Sequence, residues 1–192
     1  DPDFLFGDII VPAGTHSEAS IEMGTDPLGK SRSIPVYILN GRKPGPVLAL
    51  VAATHGDELN GVSIIHHLAF GDDHVAGTPD DNFSLDDIAG TLLLVPVVNV
   101  EGMLQQTRRT PDGRDLNRLF PGKGNGNQAQ RIAFALFEEA IRRADVVIDL
   151  HTAPLSRINV PHVRADFAIP RCKELARAFG TEVVMHSKGS KG

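Results

Sequence analysis

Apolar residues fall along this chain in two rhythms. Short, nearly continuous apolar runs occur at "IPVYIL" (34–39), "PVLALVAATHG" (46–56) and "TLLLVPVVN" (91–99), each bounded by Gly, Pro or Asn. Runs of that length and punctuation predict buried strands. "DVVIDLHTAP" (145–154), β-branched at its centre and ended by Pro154, predicts a fourth, and "TEVVMH" (181–186) a weaker fifth. Between them the period lengthens. From Asn127 to Ala144, the residues Ala129, Ile132, Ala133, Leu136, Phe137, Ala140 and Ile141 recur at three-four spacing, and Asn127 with Gln130 marks the helix start. A second helix is expected from Pro170 through Phe179, stopping at Gly180, and a third over "NGVSIIHHLAF" (60–70). Strands alternating with helices predict an α/β sandwich around a central mixed, largely parallel sheet. The acidic "GDDHVAGTPDDNFSLDD" (71–87) reads as a solvated loop with a short helix.

Composition narrows the class. The 192 residues, 41% hydrophobic and 22% charged, suffice for a substantial core in one domain. A formal net charge of -5 gives no general attraction to nucleic acid or an anionic membrane. Cys172 is the one cysteine, so no internal disulfide forms; a reducing cytoplasm is expected, with Cys172 itself in the core of its helix. Neither a secretory leader pattern nor an apolar run of membrane-spanning length is found. The chain starts "DPDF" without Met and stops at "SKGSKG", and is expected to be a fragment.

Reactive residue types collect where strands are predicted to end, the place where ligands gather in open α/β sheets. His55 and Glu58 follow the "VLALVAA" run, and a turn through Gly56 and Asp57 lets both side chains meet one ion. Alone, such a pair is more often a surface contact or a helix cap. His151, at the end of another strand, changes the balance. Strand alternation puts Asp149 on the same face as His151, as expected of an acid orienting a ligating imidazole. Two His and one Glu with an open fourth position are the composition of a catalytic zinc site. His66 and His67 read as structural or solvated, as do His16, His74, His162 and His186.

A second cluster, "RRTPDGRDLNRLFPG" (108–122), carries Arg108, Arg109, Arg114 and Arg118 with Asn117 after the "TLLLVPVVN" run. Guanidinium forks there suit a carboxylate. Taken by itself it is a solvated basic loop that Asp112 and Asp115 neutralise. Beside a zinc site it offers an anchor for an anionic substrate and a donor for a developing oxyanion.

"HGDE", "DLNRLFPG" and "DLHTAP", in this order, resemble the succinylglutamate desuccinylase/aspartoacylase family, relatives of the zinc carboxypeptidases. The resemblance runs from about Ile34 to the end. It implies one zinc ion on His55, Glu58 and His151, Asn117 and Arg118 at the substrate carboxylate, and one of Arg108 and Arg109, preferably Arg108, polarising the scissile carbonyl. It also implies a zinc-carboxypeptidase-like fold, with residues 1–192 forming a single hydrolase domain that stops before its C-terminal part. The substrate would be an N-acyl amino acid or a related small carboxylate. The family's general base is a glutamate on a late strand, expected beyond Gly192, because Glu174 lies in a helix and Glu182 comes too early. Two rivals remain: a metallocarboxypeptidase, and a zinc- and carboxylate-binding module without turnover. A serine hydrolase lacks its G-x-S-x-G elbow, and "PGKGNGNQ" (121–128) lacks the phosphate-loop pattern and reads as a turn into the helix. Oligomeric state and the acyl group are left open.

Overall fold

The computed structural model describes residues 3–25, 28–71, 84–154 and 157–188. The chain divides into two compact units, Asp1–Leu155 and Ser156–Gly192. In the first, strands β1 (Phe4–Phe6) and β2 (Ile9–Val11) form a hairpin. Strands β3 (Thr15–Thr25), β4 (Ser31–Asn40), β5 (Lys43–Ala52), β6 (Ala89–Val95) and β7 (Val146–Leu150) form one sheet in the order β3-β4-β6-β5-β7. The helices of this unit are α1 (Asn60–Phe70), α2 (Val100–Leu104) and α3 (Gln128–Glu139). The sheet is mixed. β3, β4 and β6 pair antiparallel, whereas β5 runs parallel to both β6 and β7.

Side-chain alternation explains why both faces of the sheet are covered. Ile34, Val36 and Ile38 of β4, Ala49 and Val51 of β5, and Leu93 and Val95 of β6 join one buried cluster with Ala129, Ile132, Ala133 and Leu136 of α3. The intervening Leu39, Ala52 and Leu94 join another with Ile65 and Ala69 of α1. Helix α3 begins as its sequence requires: Asn127 accepts from the Gln130 N–H at 3.0 Å, while the Gln130 side chain accepts from the Asn127 N–H at 3.1 Å.

The second unit is a strand-helix-strand element: β8 (His162–Ala165), α4 (Pro170–Ala178) and β9 (Val183–His186), with β8 and β9 parallel. The run at 181–186 thus pairs with β8, a strand the apolar pattern did not announce. Cys172 is half-buried, against the expectation of a core position; Ala176 is the buried residue of its helix. Glu174 lies in α4 as expected.

Three strands end before their apolar runs do. β5 stops at Ala52, β6 at Val95 and β7 at Leu150, so "ATHG", "PVVN" and "HTAP" are loop. Residues 72–83 of the acidic insertion, including His74, lie outside the described residues. The segment from Pro121 makes a turn closed by Lys123 N–H to Gln130 O at 3.1 Å, as expected. Among the described residues, no helix is long and apolar enough to cross a membrane.

Candidate metal centre

Parallel pairing brings the reactive residues together. Because β5 aligns with β7 at Ala52↔Leu150 and with β6 at Val51↔Val95, all three strands finish at the same edge of the sheet. His55 leaves the end of β5 and His151 the end of β7, and the chain after β6 returns over the same edge with residues 107–118. The turn holding His55 and Glu58 is tightly set. Ala53, fully buried, takes a positive φ of 49°, and the Glu58 N–H closes a turn onto His55 O at 3.1 Å.

Glu58 is the hub. Its Oε1 lies 2.9 Å from His55 Nδ1, and its Oε2 lies 2.9 Å from His151 Nδ1 and accepts the Thr152 N–H at 2.8 Å. The far nitrogens of both rings meet acids: His55 Nε2 is 3.0 Å from Asp115 Oδ1, and His151 Nε2 is 2.7 Å from Asp149 Oδ2. Asp149 also accepts from Thr54 Oγ1 at 3.2 Å, and Asp115 accepts the Asn117 N–H at 3.1 Å. His55 and Glu58 are 2% exposed and the His151 side chain 31%, so the site opens on the His151 side.

Acids at Nε2 hold the ring protons there, so each Nδ1 that faces a Glu58 oxygen at 2.9 Å needs a proton or a cation between the two. At His151 a proton fills that place in the metal-free site. At His55 that demand is unmet, since its buried Nδ1 makes no hydrogen bond despite the nearby Oε1. One ligand atom from each of His55, Glu58 and His151 lies within 4.8 Å of the others. Two imidazoles and a carboxylate around an unsatisfied nitrogen fit a divalent metal of the zinc type.

Electrostatics agree with that arrangement. Burial disfavours the Glu58 carboxylate, but the His151 hydrogen bond, the adjacent His55 ring and the Thr152 N–H outweigh it and hold its pKa far below the usual range. Asp115 is also lowered, burial being overcome by the hydrogen bond and charge of His55, the Asn117 N–H and the Arg108 charge. His151 is raised to about 10: burial opposes its charging, while Asp149 and Glu58 favour it.

Of the residues singled out in the sequence, His55, Glu58, His151, Asp149 and Arg108 meet here. Arg108 Nη1 donates to Glu58 Oε1 at 2.6 Å. Arg109 instead donates to Gly113 O at 2.7 Å within its own loop. Asn117 and Arg118 lie in a short 3-10 turn directly after Asp115, with Arg118 exposed. Among the described residues, the Arg118 guanidinium has no ion-pair partner. Asp115, which the sequence suggested only as a neutraliser of the basic loop, turns out to hold a ring of the cluster. No local spacing in the sequence signals that role, because His55 lies sixty residues away. His66 packs its ring against Tyr37 and Phe70, as expected of a structural histidine.

The chain is similar to known proteins over most of its length. The N-alpha-acetyl-L-2,4-diaminobutyric acid deacetylase of Halomonas elongata is 31% identical over 153 residues, covering 77% of this chain and 41% of that protein. A crystal structure of a succinylglutamate desuccinylase/aspartoacylase from Rhodobacter sphaeroides superimposes with a TM-score of 0.78 at 26% identity, over 97% of this chain and 54% of that one. A metallo-carboxypeptidase from Burkholderia cenocepacia, at 18% identity and a TM-score of 0.65 over 89% of this chain and 49% of that one, shares the fold. The α/β sandwich is therefore carboxypeptidase-like, and the chain spans about half the length of the relatives it matches. The model of the succinylglutamate desuccinylase/aspartoacylase catalytic domain matches residues 44–192, which takes in all three motif segments and the strands that carry them; the chain belongs to that family.

Proposed function

We propose that the protein is a zinc-dependent deacylase that hydrolyses the amide bond of an N-acyl amino acid or a related small carboxylate. One observation carries the reading: two imidazole Nδ1 atoms face the two oxygens of one buried carboxylate, and each Nε2 is held by an acid. His55, Glu58 and His151 would hold one zinc ion. Bound there, zinc would supply an electrophile for the scissile carbonyl and a water acidified toward neutral pH. The chain's own residues supply position. Asp149 and Asp115 orient the two rings. Arg118, whose planar fork has no ion-pair partner among the described residues, and Asn117 beside it suit the substrate carboxylate. Arg108 is assigned to the scissile carbonyl because it lies at the cluster, whereas Arg109 is bonded to Gly113 and is left a peripheral donor of the same loop. Neither Asp115 nor Asp149 is free to accept the proton of an attacking water, so general-base catalysis falls to another carboxylate. The named substrate of the Halomonas elongata relative is an N-acyl amino acid, which supports this substrate class. A single cysteine in 192 residues suits work in the cytoplasm.

Zinc analysis and parallel hydrolysis assays test the reading. The wild-type chain should take up one zinc and His151→Ala almost none; equal uptake would remove the metal centre. Because the general base is expected beyond Gly192, turnover is measured on a form extended past that residue, where faster hydrolysis of N-acetyl amino acids than of dipeptides with a free C-terminus marks a deacylase. The reverse order marks a metallocarboxypeptidase, and zinc uptake by the extended form without turnover of either marks a binding module.

A further inference from the structure

Arg108 makes a contact that its assigned role does not explain. A guanidinium meant for a substrate carbonyl instead donates to Glu58 Oε1 at 2.6 Å, with its Nη2 4.0 Å from Asp115 Oδ2. That Glu58 oxygen is the one facing the unbonded His55 Nδ1 at 2.9 Å. A carboxylate only 2% exposed needs a counter-charge, and without a metal the guanidinium provides one. A divalent cation taken up by His55 Nδ1 and Glu58 would add two positive charges beside the oxygen that the guanidinium occupies. Repulsion at such a separation is strong where water is largely excluded. Arg108 is the partner able to leave: its side chain is 36% exposed, on a long stem from an irregular segment. On the other Glu58 oxygen, the Thr152 N–H is backbone without net charge and suits both states, and the His151 ring exchanges its Nδ1 proton for the metal.

We propose that Arg108 is a metal-displaced guanidinium: it holds Glu58 while the site is metal-free, competes with the metal for that carboxylate, and is freed toward the open side of the site when the metal enters. The inference rests on the metal centre proposed above. Its consequence is that electrophile and carbonyl donor become available together, so a metal-free site presents neither to a substrate.

Zinc affinity, measured by competition with a chromophoric chelator, decides it, since removing a competitor must tighten binding. Arg108→Gln should bind zinc about tenfold tighter than wild type, equivalent to about 1.4 kcal/mol, and its metal-free form should melt at a lower temperature. Equal or weaker affinity in a normally folded Arg108→Gln overturns the inference while leaving the metal centre standing. Undiminished zinc binding by His151→Ala in the same assay overturns the metal centre itself. The wild-type chain gives an independent readout. In nitrogen-15 spectra, the Arg108 side-chain N–H groups should exchange with water faster once zinc is added, and unchanged protection overturns the displacement.

Discussion

Gly56 stands between His55 and Glu58, and its substitution by alanine tests how firmly the metal-facing turn is fixed. A Cβ at this position would come within 2.1 Å of the Gly102 carbonyl carbon and 2.3 Å of the Met103 nitrogen. Both are backbone atoms of α2, so no rotamer change relieves the clash. To bring 2.1 Å out to the 3.4 Å at which ordinary contact begins, the turn and the helix must part by about 1.3 Å. Metal ligands are held to within about 0.2 Å of their ideal distances, and His55 is the neighbouring residue. Gly56→Ala should therefore cost about 1–3 kcal/mol of stability, as overpacking does, and weaken zinc binding by about 10–100-fold. Thermal melts of the metal-free chain and zinc titration against a competing chelator measure the two effects separately. Gly24→Ala is the control. Gly24 has a φ of +86°, but a Cβ there meets no heavy atom within 4 Å, so this change should cost about 1 kcal/mol from backbone strain and leave zinc affinity alone. A Gly56→Ala chain that binds zinc as wild type does would refute the claim that α2 fixes the ligand geometry.

Asp149→Asn removes the charge that holds His151 Nε2 while keeping the shape of the side chain, so zinc affinity should fall by about 10–100-fold; a change below twofold in the same titration would deny Asp149 its orienting role. In the metal-free chain the His151 pKa stands at about 10 against 6.5 for the unperturbed group, so the protonated ring stabilises the fold fully below about 6.5 and that contribution is lost as pH rises toward 10. The melting temperature of metal-free protein should accordingly fall across that window, while zinc uptake, which needs the neutral ring, strengthens by up to about tenfold per pH unit; flat profiles would count against the Asp149 and Glu58 contacts. Arg118→Lys keeps the charge and loses the planar fork, so in the full-length enzyme the KM for an N-acyl amino acid should rise with zinc content unchanged; an unaltered KM would place the carboxylate elsewhere.

What the sequence disclosed and what it hid follow from the range of each signal. β4, β5 and β6 were legible because strands covered on both faces need apolar residues at nearly every position, whereas β7, an edge strand with none of its residues fully buried, was legible from its β-branched centre and the Pro154 stop. β3, at the sheet edge, reads THSEASIEMGT, with Ile21 buried and most of its neighbours exposed. One wet face dilutes its apolar content below what the pattern can show. Strand β9 was visible, but its partner was not. An apolar run shows that a segment is buried without showing beside what.

The site divides along the same line. Asp149 was legible as the companion of His151 because two residues in a strand share a face, so the contact is set by local backbone geometry. Asp115 does the same chemistry for His55 from sixty residues away. It arrives because β6 runs parallel to β5 and the chain beyond it turns back over the strand ends, a consequence of sheet order that no local spacing contains. Arg108 was legible as a guanidinium near the site, but its hold on Glu58 depends on a buried charge that only the folded arrangement creates. Ligand types, then, are written in short motifs at strand ends, whereas the groups that orient and compete for those ligands come from strand order. Substitutions at Asp115 and Arg108 are for that reason the sharper probes of the fold's contribution: each changes a group brought in by sheet topology and leaves His55, Glu58 and His151 in place.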